Sequence, residues 1–144
     1  MKYLKITTWF LAISMFMFGI LKFVNPFKDW YAVQILNSDL GQISYAMGIM
    51  GEIGVGVTLL FCLIFGQKIS IKQYRFLTTI SFLTISIMML TGIYVHLHPN
   101  VPADVLPLKI KPPYIPALFL MVALSNLYLL VKSGKGRKDK WQTS

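Results

Sequence analysis

Four runs of about 20 apolar residues, separated by short segments that hold most of the charge, limit the folds open to this chain more than any other feature. A helix rising 1.5 Å per residue needs about 20 such residues to cross a hydrocarbon layer about 30 Å thick. The runs fall at 5–24, 42–66, 75–97 and 114–132. A mean hydropathy of +0.63 and 56% hydrophobic residues against 13% charged ones exclude an ordinary soluble globule of 144 residues. The connecting segments leave no room for a soluble catalytic domain, so any chemistry has to sit between helices or in the loops. The expected fold is all-α: one four-helix transmembrane bundle over 1–132, followed by a basic tail, 133–144.

A net charge of +9 raises the question of a nucleic-acid partner, and the placement of the charges answers it. Ten of the fourteen basic residues fall on one side of the bundle: Lys2, Lys5, Lys68, Lys72, Arg75, Lys132, Lys135, Arg137, Lys138 and Lys140. Lys22, Lys28, Lys109 and Lys111 fall on the other. A bias of this kind across short loops is the positive-inside pattern, and it predicts cytoplasmic N- and C-termini. The tail then reads as an anchor near anionic lipid, with no role in nucleic-acid binding. The expected location is the cytoplasmic (plasma) membrane, as a multi-pass protein with the lipid bilayer as its first partner.

The first segment, with two lysines ahead of an apolar stretch, resembles a secretory signal. Its apolar run of roughly 16 residues is long for that purpose and no small-x-small cleavage site follows, so it is expected to stay as a helix. That helix is predicted to stop at Asn25–Pro26, where proline disfavours helical geometry in the residue before it. The amphipathic stretch after it carries Phe27, Trp30 and Tyr31, which suit a headgroup layer, and Trp30 is read as an interfacial anchor ahead of a ligand contact. Gly48, Gly51 and Gly54, with Gly56 nearby, predict a helix-packing face. The segment His98–Pro116 contains six prolines and is expected to form a stiff, extended cap over the outer mouth. Cys62 is the only cysteine, which excludes an internal disulfide or a CxxC redox pair.

Ionisable residues inside a membrane cost on the order of 2.5–3.5 kcal/mol at the helix centre, so each needs a partner or a purpose. Glu52 lies ten residues inside the second run, about 15 Å deep at 1.5 Å per residue. Ser14, Thr84 and Asn126 fall near the same depth, which predicts a belt of four polar side chains, one from each helix. Glu52 is either a neutral register pin or a carboxylate that handles protons or touches a ligand. Lys22, three residues after Gly19, is the cation placed to pair with it, or else to snorkel to the headgroups. Thr84, Thr91 and His98 form a polar stripe at spacing seven on the third helix. Tyr94, His96 and His98 close that helix, and an imidazole there can exchange protons near neutral pH. Two histidines two residues apart do not share a helical face, and too few further ligands exist for a metal site. The candidate ligand-binding or proton-handling residues are therefore Lys22, Glu52, Tyr94, His96, His98 and Asn126. No residue is assigned a catalytic role.

Gly19-x-x-Lys22-Phe23 at the end of the first helix, Trp30 after it, and Gly51-Glu52 in glycine-rich surroundings give the chain a likeness to a known family. It resembles the DoxX-like family of small four-helix bacterial membrane proteins over its first three helices, and over the fourth by hydropathy alone. The resemblance implies a redox-associated membrane subunit, linked to a quinone that binds within the bundle, and another membrane or redox protein as partner. The segment His96-Leu-His98-Pro99-Asn100 departs from the family pattern and marks a distinct subgroup. Electrons would have to be carried by the quinone or by a partner, since the chain itself has no visible redox group. Two other readings fit the same residues: a non-catalytic assembly or scaffold subunit, and a small-solute or proton carrier.

Overall fold

A computed structural model describes residues 2–142, with side chains up to Ser133. It is all-helical: α1 (Lys2–Leu21), α2 (Phe27–Asn37), α3 (Ile43–Phe65), α4 (Ile71–Leu97) and α5 (Tyr114–Gln142), with 3-10 turns at Ala103–Val105 and Pro107–Lys109. Four segments are long and apolar enough to cross a membrane, namely α1, α3, α4 and residues Tyr114–Ser133 of α5. In hydrocarbon the backbone must satisfy its own polar groups, and a helix does so within one segment. The basic segment 133–144 lies outside the described side chains, except for the exposed Ser133.

Each spanning helix is apolar on both faces, as expected of a membrane span and not of a helix half in water. On α3, Ile43, Met50, Val57 and Ile64 point outward at spacing seven, while Val55, Leu59 and Cys62 are buried. Leu11, Ala12, Met15, Phe82, Ile85, Phe119 and Ala123 fill the centre of the bundle. Neighbours around the ring run α1, α3, α4, α5 and back to α1. All four pairings are antiparallel. Gly56 of α3 faces Phe16 and Gly19 of α1 faces Ile53; Thr7 of α1 meets Asn126 of α5; Arg75 of α4 donates to the Leu130 carbonyl; and Gly92 faces Pro116. Buried hydroxyls bond back to their own helices, Thr8 to the Leu4 carbonyl at 2.6 Å and Ser86 to the Phe82 carbonyl at 2.8 Å.

The helix limits differ from the expected ones for identifiable reasons. α1 ends at Leu21, not at Asn25: Phe23 and Val24 donate to the carbonyls of Ile20 and Leu21 at 3.0 Å, tightening the chain into a turn that takes Lys22 off the helix face. α4 begins at Ile71, not at 75, because Ser70 and Gln73 form a reciprocal capping box. The stretch after Pro26 is a true helix, closed by Asp39 (φ 57°) and Gly41 (φ 78°) in the left-handed region. Of the predicted glycine face, Gly56 makes a close approach to a neighbouring backbone, a Cβ there lying 2.7 Å from the Phe16 nitrogen, and Gly51 packs against the Met88 side chain of α4. Gly48 leaves room for the Tyr31 hydroxyl, and Gly54 faces open space. Glycines three apart drift around a helix of 3.6 residues per turn, so they cannot all meet one neighbour.

Candidate functional site

At the end of the bundle that carries α2 and the proline-rich segment, the helices part around a cavity of about 710 Å³. Its walls are mainly apolar: Phe18, Leu21, Met47, Met88, Met89, Val95 and Ile115 from the spanning helices, Trp30 and Ile35 from α2, and Val105, Pro107 and Leu108 from the segment above. The size falls within the range of about 300–1,000 Å³ typical of small-molecule sites, as does the pattern of apolar walls with few polar groups.

Lys22 and Glu52 form the polar centre of this wall. Lys22 Nζ donates to Glu52 Oε1 at 2.6 Å, with the two side chains only 16% and 9% exposed. The turn after Leu21 brings the lysine there, and Gly19 lets α3 come close enough, its position for a Cβ lying 3.3 Å from the Glu52 Cβ. Below the ammonium lies the Tyr31 ring, 3.9 Å from Nζ to centroid. Tyr31 is fixed by its hydroxyl, which donates to the carbonyls of Ser44 and Tyr45 at 3.2 and 3.3 Å, and by the Tyr45 ring at 4.9 Å. Burial pushes the Tyr31 phenol well above its ordinary range, and the negative Glu52 adds to this, so it stays a donor. An ammonium has three N–H groups and one is used by Glu52, so hydrogen-bonding capacity is left over. Glu52 Oε2 is buried without a partner among the described residues.

His96 also lines the cavity and is buried. Its Nδ1 sits 2.9 Å from the Gly92 carbonyl, an acceptor, so Nδ1 carries the proton and Nε2 is the acceptor of the neutral ring. Gln34 donates from Nε2 to the Val105 carbonyl, tying α2 to the segment that roofs the site.

Of the six residues singled out in the sequence, the structure brings Lys22, Glu52 and His96 to one cavity and places the other three elsewhere. Tyr94 points to the opposite side of α4, where its hydroxyl donates to the Ser38 carbonyl at 3.1 Å. His98 lies beside it, 3.4 Å from Asp39 and ring-to-ring with Tyr94. Backbone extension at His98 ends the helix, which removes this residue from the stripe that Thr84 and Thr91 continue into the cavity. Asn126 is at the far end of the bundle, accepting from Thr7 at 2.6 Å and donating to Thr8 at 3.5 Å. The predicted four-helix polar belt therefore does not form. Antiparallel register puts Asn126 level with the first turns of α1, and Glu52 level with its end.

The structure also places two further features singled out in the sequence. Trp30, read as an interfacial anchor, is half-buried and lines the cavity. The proline-rich segment does roof the cavity, but as two 3-10 turns and not an extended strap; its Val101 and Leu106 are buried against Val95. Tyr31 and Gln34 were missed. The four-residue spacing of the buried Tyr31 and Ile35 in a short helix is the signal that points to the former. Comparison of the chain with protein-family models, with curated proteins and with solved structures finds no match.

Proposed function

We propose that this multi-pass membrane protein binds a lipophilic ligand of the quinone class in its cavity and serves as a redox-associated subunit of the bacterial cytoplasmic membrane, with both termini on the cytoplasmic side. The observation that carries the reading is a buried Lys22–Glu52 pair with hydrogen-bonding capacity to spare, set in the wall of an otherwise apolar cavity. A buried ion pair is no argument for stability, because desolvation offsets much of its attraction. Its place beside a ligand-sized space is an argument for binding.

The residues fit a quinone head. Lys22 would offer an N–H to a ring oxygen, His96 Nε2 would accept from a hydroxyl of the reduced, quinol form, and Trp30 and Tyr31 would supply flat apolar surface. When bound, the quinone supplies the electron carriage that the side chains lack. The protein orients the head, covers it with the Gln34-tethered roof, and holds Lys22 over Tyr31. Gly19, Lys22, Trp30 and Glu52, on which the likeness to the DoxX-like family rests, all touch this site or frame it, which favours that membership. The basic Lys2, Lys5, Lys68, Lys72 and Arg75 favour the orientation.

Mass spectrometry of the gently solubilised protein tests the reading. A quinone-class molecule at close to one per chain is the expected result. Recovery of a stoichiometric protein partner with no lipophilic ligand would replace it with an assembly role.

A further inference from the structure

Among the large hydrophobic residues of the lining, the most exposed fall at two places. One is at the loop end, where Leu108 is 75% exposed and still part of the lining. The other is on the flank, where Met47 of α3 (67% exposed) and Ile87 of α4 (65% exposed) line the cavity and also face outward. Counted from the loop-end limits of their helices, Ile43 and Leu97, these two residues lie about 6 and 15 Å along the bundle at 1.5 Å per residue. The flank opening is therefore at the level of the hydrocarbon, not of the headgroups. Glu52, nine residues after Ile43, lies at about 13 Å on the same count. The polar centre lies within the range of depth that the side opening spans.

The slot is built by small residues and soft ones. Gly51 lends no side chain to this gap, and the Met88 side chain of α4 packs there instead, its sulfur 3.0 Å from the position of a Cβ. Methionine is flexible and yields to a passing chain. The opposite charges of Lys22 and Glu52 cancel, so the site favours a neutral head over an ion.

Resting on the reading that the cavity binds a lipophilic ligand, we infer that it is loaded sideways from the bilayer between α3 and α4. Its ligand is a single-chain amphiphile whose compact neutral head stops at Lys22–Glu52 while the chain remains in the Met47–Ile87 slot. A roof-side route would select differently, since a chain leaving past Leu108 would run into the headgroup layer.

The full chain in lipid nanodiscs, with Trp9→Phe and Trp141→Phe, leaves Trp30 as the single tryptophan and a reporter in the cavity wall. The probes are a benzoquinone with a decyl chain and the same ring without it, compared at equal concentration in the bilayer and followed by quenching of Trp30. Met47→Phe with Ile87→Phe places two rings across the slot, and Leu108→Phe narrows the other opening. Both slot residues face outward, and Met47→Phe alone serves if the pair does not fold. Association of the decyl probe is expected to slow at least tenfold in the slot variant and to change less than twofold in Leu108→Phe. The reverse pattern, or equal affinity for both probes in the parent, overturns the inference and leaves the binding reading intact. Quenching by neither probe in the parent overturns both.

Discussion

Removing one partner of the Lys22–Glu52 pair should destabilise the fold, and removing both should not. The Nζ–Oε1 distance is 2.6 Å and neither side chain is more than 16% exposed. Two unit charges about 4 Å apart attract by about 4 kcal/mol at an effective dielectric near 20, and truncating one member of such a buried pair costs about 3–5 kcal/mol, chiefly through the charge left behind. The two single variants are not equivalent. Glu52 is nine residues inside α3 on a short stem and cannot swing its carboxylate out of the bundle, so Lys22→Met should cost the full amount at pH 7. Lys22 stands just past the end of α1 on a flexible stem and can turn outward, so Glu52→Leu should cost about 1–2 kcal/mol less than that. The double variant should lie within about 1 kcal/mol of the parent, because an apolar pair of similar volume replaces a desolvated ionic one. Equilibrium unfolding in mixed micelles, followed by circular dichroism across the four chains of the cycle, measures each step. A cost below about 0.5 kcal/mol for Lys22→Met, the level of an exposed pair, would refute the reasoning. So would a double variant as unstable as the worse single one.

Gly56→Leu should force α1 and α3 apart, since its Cβ would meet the Phe16 backbone at 2.7 and 2.8 Å; overpacking of this kind costs about 1–3 kcal/mol, and the same unfolding assay reads it. With Cys62→Ser as background, a cysteine at Gln67 should react with a membrane-impermeant maleimide only after the cell is opened, while one at Asn100 should react in intact cells. The opposite pattern would invert the proposed orientation.

The span count was legible in the sequence because the bilayer imposes a length and a composition on each helix, and four runs meet both. Glu52 stood out for the same reason, as a carboxylate deep in an apolar run. The short helix over 27–37 and the early start of α4 were also present in the residues, the latter as the capping box Ser70-x-x-Gln73. Depth counts were not enough to say which polar groups meet. They placed Asn126 with Glu52, whereas the antiparallel register joins it to Thr7 and Thr8.

Hydropathy, charge placement and the cost of burying a carboxylate are properties of single residues and of the solvent. Through them the sequence by itself determined an all-α membrane bundle, with Lys22, Glu52 and His96 among its candidate site residues. Which side of α4 faces the cavity, the turn that carries Lys22 to Glu52, the approach of Tyr31 beneath it and the slot between Met47 and Ile87 were decided only in the tertiary structure. Each depends on the rotation and offset of one helix against another, and those are set by contacts between residues far apart in the chain.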